Sequence, residues 1–325
     1  MSDNVKVLLV GCGYMAGEYY KVLDALGIQT VVVGRSKEGC KEFTRKYQIS
    51  AYPGGVDANL DLLENGITHA IVATDITELC KTTYTLIEKG VSKLLVEKPG
   101  GINEGELKTI SEYAEQKRAN VYIAYNRRFY QSTKEANRII AEDGGLKSMH
   151  FEFTEWESDI LNSIQSEVVR QNILLANSTH VIDLALYFGG EVEKISSFVA
   201  GQLHWHNNGC IYSGAGYTKE NVLFSYCANW GAPGRWAVEL MTSKHRLYFK
   251  PMEKLGIQQL NSVRVDEVEL DYKLDELYKP GLFEQVKTFI LDRKDRRLLT
   301  IQQHMNHLEV YKTIAGLTDY SDRIY

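Results

Sequence analysis

The amino-acid sequence predicts an α/β protein with two domains, and three observations lead to this prediction. The chain has 325 residues, which is enough for two domains of ordinary size. Up to about residue 123, short apolar runs alternate with segments of helical spacing. Beyond that point, strand-like segments follow one another with few helices between them. We therefore expect an N-terminal domain over residues 1–123 and a C-terminal domain over residues 124–325.

The N-terminal domain contains five apolar runs that are predicted strands: "VKVLLVG", "TVVVG", "HAIVAT", "KLLVEK" and "NVYIAYN". Helical spacing lies between them in "YMAGEYYKVLDAL", "KEGCKEFTRKY", "TELCKTTYTLIEKG" and "NEGELKTISEYAEQK". Continuous apolar runs are typical of parallel strands that helices cover on both faces. The pattern predicts a doubly wound Rossmann domain.

The C-terminal domain is predicted to be α+β. After a helix near Ser132 to Glu142, its strand-like segments are "SMHFEFTEW", "KISSFVAGQLHW", "NVLFSYCANW", "WAVELMTS" and "HRLYFK", interrupted by the apolar helix "ILLANSTHVIDLALYF". The chain closes with two helices around a basic turn. Consecutive strands favour a large, open, mixed or antiparallel sheet.

Composition narrows the classes of partner. The net charge is −5 and basic residues are dispersed, which argues against a nucleic-acid surface. No apolar run approaches the roughly 18 residues of a membrane helix, and the N-terminus lacks the features of a secretory signal. The five cysteines are scattered without a CxxC pair, and neither "HWH" nor "HMNH" has the further ligands of a zinc site. We expect a cytoplasmic protein without a metal, whose partner is a small molecule.

The first chemical motif is the glycine loop "VGCGYMAG". Gly11, Gly13 and Ala16 give GxGxxA directly after a predicted strand and at the start of a helix. The glycines permit a tight turn and a close backbone approach, and the helix N-terminus offers N–H groups to a pyrophosphate. The loop, with Tyr14 and Met15, predicts a dinucleotide site.

The end of the second strand indicates which dinucleotide is bound. NAD sites usually carry Asp or Glu there, about 20 residues past the first glycine, to bind the ribose 2′-hydroxyl. This chain has "VVVGRS" instead, so Gly34 leaves room for a 2′-phosphate that Arg35 and Ser36 could bind. We expect a preference for NADP(H), with NAD(H) possible.

Three further strands end in residues that point to the same edge. "HAIVAT" ends at Ala73 and Thr74, and "NVYIAYN" ends at Asn126. Between them in the predicted order, Glu97-Lys98-Pro99 follows a buried run, where ligands bind in open α/β sheets. A lysine there is close to the expected nicotinamide and suited to proton chemistry.

A histidine in the second domain is a candidate partner for that lysine. In "NSTHVIDLALYF", His180 and Asp183 are three residues apart, so they share one face of a helix. A single histidine in an apolar helix is more often a core residue. Its combination with the glycine loop and the EKP sequence favours a functional role.

In their order along the chain, these motifs resemble the Gfo/Idh/MocA oxidoreductase family, which contains glucose-fructose oxidoreductase, inositol dehydrogenases and several nucleotide-sugar dehydrogenases. The resemblance rests on "VGCGYMA", "VEKPGG", "AYNRRF", "HVIDLALYFGG", "GLFEQVKTFI" and "QQHMNHLEVYKTI". It implies a C-terminal sheet that often forms oligomer interfaces, hence a homodimer or homotetramer. It also implies that Lys98 and His180 flank the substrate carbon facing the nicotinamide, and that the bond before Pro99 is cis.

The sequence departs from the family pattern at one place. Many members have Asp four residues before the active-site histidine, where this chain has Ala176 beside Asn177. An asparagine can hydrogen-bond a substrate but does not exchange a proton at neutral pH. The expected chemistry therefore rests on Lys98 and His180.

The resulting expectation is hydride transfer between a nicotinamide and a carbinol or carbonyl carbon of a sugar or nucleotide-sugar. An NAD-dependent polyol or inositol dehydrogenase, and a non-catalytic dinucleotide-binding sensor, remain as alternatives. The expected cofactor contacts are Gly11, Gly13, Tyr14, Met15, Ala16, Gly34, Arg35, Ser36, Ala73, Thr74, Glu97, Lys98 and Asn126. The expected substrate contacts are Lys98, Asn126, Arg128, Trp156, Arg170, Asn177, His180 and Trp236, with Arg127, Trp230 and Arg235 as further candidates.

Overall fold

Two compact units make up the chain in a computed structural model, which describes residues 5–64, 66–164, 166–291, 294–318 and 321–324. The first unit comprises Met1–Phe129 and Lys273–Met305, and the second comprises Tyr130–Tyr272 and Asn306–Tyr325. This division differs from the predicted one at residues 123 and 124. The first unit extends a few residues further, and a late segment of the chain returns to it.

The secondary structure is numbered in chain order. The strands are β1 (Lys6–Val10), β2 (Gln29–Gly34), β3 (Ala51–Pro53), β4 (His69–Val72), β5 (Lys93–Val96), β6 (Asn120–Ile123), β7 (Ser148–Glu152), β8 (Val192–Ala200), β9 (Ile211–Thr218), β10 (Leu223–Asn229), β11 (Ala237–Met241), β12 (His245–Phe249), β13 (Gly256–Gln259), β14 (Val265–Glu267), β15 (Leu299–Thr300) and β16 (Ser321–Ile324). The helices are α1 (Tyr14–Ala25), α2 (Lys37–Tyr47), α3 (Leu79–Glu88), α4 (Glu104–Lys117), α5 (Gln131–Glu142), α6 (Glu157–Ser163), α7 (Glu167–Gln171), α8 (Thr179–Gly189), α9 (Lys273–Leu277), α10 (Leu282–Ile290) and α11 (Ile301–Ile314).

The first unit is built on a seven-stranded sheet in the order β15-β6-β5-β4-β1-β2-β3. Strands β1 to β6 pair in parallel, and β15 runs antiparallel to β6. All four residues of β4 are buried, as expected for a strand that is covered on both faces. The predicted Rossmann architecture is confirmed, and β3 and β15 extend it beyond the strands expected from the sequence.

The late segment returns to the first unit because its apolar face joins that unit's core. Leu282, Val286 and Phe289 of α10 belong to the same buried cluster as Tyr19 and Val22 of α1. Burial of such side chains stabilises a fold by about 1.5–3 kcal/mol each. The sequence prediction placed α10 in the second domain because spacing along a chain does not show which core a helix joins.

The second unit is built on a nine-stranded sheet in the order β14-β13-β12-β11-β7-β10-β9-β8-β16. Its pairs are antiparallel except β7 with β10 and β8 with β16, so the predicted mixed, mainly antiparallel sheet is confirmed. Burial alternates along β10, as expected where one face packs on a core and the other does not. On the core side, the rings of Phe151 and Tyr226 stack with centroids 5.3 Å apart.

The apolar helix predicted over "ILLANSTHVIDLALYF", which contains His180, differs from the expected regular form. Residues Leu174–Ser178 form one π-helical turn, and the α-helix α8 begins only at Thr179. Single π turns within helices are rare and often occur at functional sites. Nearly every side chain of α8 is buried, which accounts for its apolar sequence.

A buried aspartate anchors the end of α5 to the turn between β11 and β12. Oδ2 of Asp143 accepts hydrogen bonds from Oγ1 of Thr242 and Nδ1 of His245, both at 2.7 Å. Burial alone would raise the pKa of this carboxyl group. The hydrogen bonds from His245 and Thr242 outweigh that effect and hold its pKa below the ordinary value.

Replacing Asp143 should therefore destabilise the second unit. We expect Asp143→Ala to lower the free energy of unfolding by about 2–3 kcal/mol at neutral pH, because hydrogen bonds to a charged group are lost. The folded-state pKa is lowered, so this contribution is present above the unfolded-state pKa of about 3.9 and is lost as the pH falls through the folded-state value. Urea denaturation at several pH values measures it.

The neighbouring Glu142 provides the control. Its side chain is exposed and pairs with Arg138 on the surface of α5. Glu142→Ala should change the free energy of unfolding by no more than about 1 kcal/mol. Equal losses in the two variants would contradict the anchoring role of Asp143.

Candidate active site

The glycine loop connects β1 to α1 with very little space around its first glycine. Gly11 has φ +126°, and a Cβ added to it would lie 2.2 Å from the carbonyl oxygen of Ala73. Its N–H donates to the carbonyl of Val33 at 2.8 Å, and the N–H of Ala73 donates to that of Val10 at the same distance. The glycine therefore lets the ends of β1, β2 and β4 meet.

The second glycine leaves space in front of helix α1. Gly13 is the N-cap of α1, and within the described part of the chain no atom outside the adjoining residues lies within 4 Å of a Cβ added to it. Among the same residues, no side chain caps the helix by a hydrogen bond, and its first turn contains no acidic residue. Exposed N–H groups at such a helix start are suited to a phosphate, so these residues fit a dinucleotide.

The end of β2 contains a feature that sequence reasoning missed. A Cβ added to Gly34 would lie 2.5 Å from Sγ of Cys12 and 2.6 Å from Sγ of Cys40, and the two sulfurs are 3.7 Å apart. Burial, reinforced by Cys40, raises the pKa of the Cys12 thiol to about 12. The space that a Cβ at position 34 would take is thus occupied by two thiols, which a side chain there would have to displace.

The two residues after Gly34 have different surroundings. The side chain of Arg35 is 80% exposed, with its guanidinium 3.9 Å from a carboxylate oxygen of Glu78. Oγ of Ser36 accepts the N–H of Gly39 at 3.0 Å and so caps helix α2. Arg35 is therefore open to an incoming anion, whereas Ser36 has a structural task as well.

Glu97 lies at the end of β5 and is held by a buried tyrosine. Oη of Tyr19, which is fully buried in α1, donates to Oε1 of Glu97 at 2.6 Å. Burial raises the pKa of Glu97, and the hydrogen bond from Tyr19 and the charges of Lys98 and Lys279 oppose that rise. The Lys98-Pro99 bond is cis, as the family resemblance implied.

Lys279 is a cation near Tyr14 and Glu97 that was not expected from the sequence. Its ammonium lies 5.5 Å from the ring centroid of Tyr14 in the glycine loop, and its charge acts on Glu97. It is followed by Pro280, whose carbonyl accepts Nδ2 of Asn126 at 2.9 Å. This segment is far from the glycine loop in sequence, so no local motif indicated its position.

The remaining expected cofactor contacts in the first unit are mostly enclosed. Ala16 and Ala73 are buried, Thr74 and Met15 are half-buried, and Tyr14 is exposed. Arg128 was expected to contact substrate, and its Nη1 donates to the carbonyl of Arg296 at 3.4 Å. The first unit thus brings together the glycine loop, the ends of β2, β4 and β5, and Lys279.

In the second unit, His180 lies on the first turn of α8. Its imidazole ring is 5.9 Å from the ring of Trp236. The guanidinium of Arg235 lies over two tryptophans, 4.1 Å from the ring centroid of Trp156 and 5.0 Å from that of Trp236. Nε1 of Trp156 donates to the carbonyl of Gly234 at 2.7 Å. Trp156, Arg235 and Trp236, all candidate substrate contacts from the sequence, therefore form one aromatic and basic cluster beside His180.

A buried glutamate lies beside the turn that precedes His180. Oε2 of Glu155 accepts Nδ2 of Asn177 at 3.0 Å, and Oε1 accepts the hydroxyl of Ser178 at 2.7 Å. The sequence analysis did not identify Glu155, because it follows β7 and reaches the π turn only through the fold. Asp183 is also buried, with Oδ1 3.7 Å from Nδ1 of His307.

Arg170 is held by carbonyls at the end of α6. Its Nε donates to Ile164 at 2.6 Å, and its Nη2 donates to Leu161 at 3.4 Å. Trp230 is buried and donates Nε1 to Phe153 at 3.2 Å. The substrate roles of Arg170 and Arg128 stay predictions.

Among the described residues, no group of three or more His, Cys, Asp or Glu side chains is placed to hold a metal ion. Among the helices of those residues, none combines the length and the apolar character needed to cross a membrane.

Comparison with known proteins was made at the levels of sequence and structure. No protein-family model and no curated protein matches the chain. Among solved structures, UDP-N-acetylglucosamine 3-dehydrogenase GnnA from Acidithiobacillus ferrooxidans is 14% identical, with a TM-score of 0.75, over 96% of this chain and 97% of that one. Levoglucosan dehydrogenase in complex with NADH and L-sorbose is 16% identical, with a TM-score of 0.78, over 99% and 100%.

A third structure, a dehydrogenase (MviM) from Clostridium difficile, is 18% identical, with a TM-score of 0.78, over 97% of this chain and 100% of that one. Identities this low establish likeness of fold. The expected fold class is confirmed by these neighbours. Over nearly its full length, the chain has the fold of the NAD(P)-binding oxidoreductases of the Gfo/Idh/MocA type.

Proposed function

We propose that the protein is an NAD(P)-dependent oxidoreductase that transfers a hydride between the nicotinamide and a carbinol or carbonyl carbon of a sugar or nucleotide-sugar. The observation that carries this proposal is the arrangement at the carboxyl ends of β1 and β5, which are parallel strands of one sheet. The open N-terminus of α1 at Gly13 follows β1, and the Glu97-Lys98 pair follows β5. The carboxyl edge of such a sheet is where ligands bind.

The proposed mechanism assigns one task to each of two side chains. A bound nicotinamide cofactor supplies or accepts the hydride. In the reductive direction, negative charge gathers on the substrate oxygen; Lys98 orients and stabilises that oxygen, and His180 donates a proton to it. In the oxidative direction, His180 accepts the proton. Glu97, held by Tyr19, supports the geometry of Lys98.

The sugar-like substrate class is supported by the cluster beside His180. Trp156, Arg235 and Trp236 combine aromatic faces with a cation, which suits a sugar ring bearing an anionic group. Among the structural neighbours, one acts on UDP-N-acetylglucosamine and another was solved with L-sorbose. Asn126 and Asn177 are proposed as further polar contacts.

The sensor alternative is favoured by one observation, the presence of Ala176 where many family members have Asp. The two functions are separated by a turnover assay with NADPH and a panel of keto-sugars and nucleotide keto-sugars. Turnover of any member supports the enzyme. Binding of NADPH without its oxidation in the presence of any member of the panel supports the sensor.

Removing either catalytic candidate should abolish most of the activity. We expect Lys98→Ala and His180→Ala each to lower kcat by at least about 10²-fold, because a positioned acid–base group contributes about 10²–10⁴ in rate. Binding of NADPH, followed by fluorescence, should remain. Lys93→Ala at the start of β5 and His150→Ala on β7 are the matched controls, and both should keep turnover. Near-normal turnover in Lys98→Ala or His180→Ala would refute the role of that residue.

We also propose that NADP(H) is preferred over NAD(H), with the 2′-phosphate bound by Arg35. Arg35 is exposed, and the thiols over Gly34 leave no room for the acid that binds a ribose 2′-hydroxyl. A neighbouring dehydrogenase was solved with NADH, so the shared fold does not decide this preference.

Titration with both reduced cofactors measures the preference. Arg35→Ala should weaken NADPH binding about tenfold and leave NADH binding nearly unchanged, because only NADPH carries the phosphate that pairs with the guanidinium. Arg45→Ala, at the exposed end of α2, should change neither. Tighter binding of NADH than of NADPH by the unmodified protein would contradict the proposal.

The open face of the second sheet is proposed to form a homodimer or homotetramer. Phe198 pairs with Ser213 on β9, and Leu223 pairs with Tyr217 on the same strand, so all four lie on one face. Phe198, Tyr217 and Leu223 are 44%, 40% and 64% exposed. Exposed apolar groups that share a sheet face are suited to an interface between copies.

A charge placed on this face should separate the copies. We expect the unmodified protein to be a dimer or tetramer by light scattering, and Leu223→Asp to shift it to the monomer. Val263→Asp lies at a still more exposed position outside this face and should leave the mass unchanged. A monomeric unmodified protein would contradict the interface.

A further inference from the structure

The turn that precedes His180 is held from outside the helix by the carboxylate of Glu155. Only 1% of this residue is exposed. Its two oxygens accept from Asn177 and Ser178, which both belong to the π turn Leu174–Ser178. A carboxylate that is removed from water is costly unless donors surround it, so this arrangement is a specific feature of the site.

The two hydrogen bonds indicate the charge state of Glu155. The Asn177 amide nitrogen can only donate, and the Ser178 hydroxyl is placed to donate to the other oxygen. An ionised carboxylate accepts at both oxygens. Both contacts therefore stabilise the ionised form of Glu155.

The position of that charge relates it to His180. His180 lies three residues after Asn177 and two after Ser178, where α8 has just begun, and side chains three apart are neighbours on a helix. Trp236 packs near the imidazole ring. A negative charge in apolar surroundings favours the charged form of a nearby imidazole.

We propose that Glu155 is the positioning residue of the second unit: it fixes the π turn that orients His180 and favours the protonated imidazole that donates to the substrate oxygen. This inference rests on the proposed function, in which His180 is the proton donor. It assigns a carboxylate to a site where residue 176 is an alanine whose methyl group carries no charge.

Other charged groups of the second unit also act near His180. Arg235 lies over Trp236, which is the neighbour of the imidazole ring. On the helical side, Asp183 of α8 is paired with His307 of α11. Glu155→Gln leaves Arg235, Asp183 and His307 in place. A change in the activity or in the His180 titration of that variant therefore reports on Glu155 itself.

The test compares Glu155→Gln with the unmodified full-length protein. Glutamine keeps the size of the side chain and one accepting oxygen, but it removes the charge and replaces the other oxygen by an NH₂ group that donates. We expect kcat for reduction to fall about tenfold or more with KM changed less than about twofold, because a positioned proton donor is impaired while binding groups remain. Without substrate, the NMR titration midpoint of the His180 imidazole should move to lower pH, and His180→Ala identifies its resonance.

Two further variants separate charge from position. Glu155→Asp keeps the charge on a shorter side chain, so the His180 midpoint should stay near that of the unmodified protein while kcat falls. Ser178→Ala removes the hydroxyl that donates to Oε1 of Glu155 and leaves the carboxylate in place. Its His180 midpoint should likewise stay near that of the unmodified protein while kcat falls. These two variants decide the question by the same readouts if Glu155→Gln does not fold.

Glu157→Gln is the matched control, because Glu157 is only two residues away, is half-buried, and contacts His204. Neither kcat nor the His180 midpoint should change in it. An unchanged midpoint or an unchanged kcat in Glu155→Gln would overturn the proposal, as would an unchanged kcat in both other variants if that protein does not fold. Absence of turnover in the unmodified protein contradicts the proposed function instead, and the midpoint then still tests Glu155.

Discussion

The absence of a side chain at Gly11 is the constraint on which the packing of the carboxyl ends of β1, β2 and β4 depends. A methyl group there would stand 2.2 Å from the Ala73 carbonyl oxygen, closer than two unbonded atoms can approach. Because Gly11 has no side chain, the carboxyl end of β1 can lie directly between those of β2 and β4. The N–H of Gly11 donates to the carbonyl of Val33 on β2, and the N–H of Ala73, which follows β4, donates to the carbonyl of Val10 on β1. Helix α1 begins just after β1 at this end of the sheet, and Glu97 follows β5 at the same end.

The parts of the fold that could be predicted are those encoded by neighbouring residues. Buried parallel strands have continuous apolar runs, and the GxGxxA loop is a local motif, so both were evident in the sequence. The return of α10 to the first core was not, because the apolar face of a helix fits more than one core. The π turn before α8 was also not predicted, since its residues are as compatible with an ordinary helix.

The same limit applies to the site. Lys98 and His180 were indicated by the motifs around them, whereas the residues that support them come from distant segments. Tyr19 reaches Glu97 from α1, and Glu155 reaches the π turn from the end of β7. Each unit therefore contains a hydrogen-bonded carboxylate: Glu97 precedes Lys98 in the chain and accepts from Tyr19, and Glu155 accepts from two residues of the turn that precedes His180. A desolvated carboxylate restricts where its donors can lie, so each also fixes the local backbone.

The end of β2 shows how packing limits what a single substitution can achieve. At Gly34 a carboxylate cannot simply be introduced, because even its Cβ would overlap the sulfurs of Cys12 and Cys40. One of those sulfurs belongs to the glycine loop and the other to α2, so relieving the overlap means changing the loop or the helix that follows β2. An acid at this position would therefore have to displace both sulfurs, whereas the neighbouring Arg35 is exposed. Under the proposed preference for NADP(H), a change towards NAD(H) by means of an acid at position 34 would also have to accommodate the side chains at positions 12 and 40.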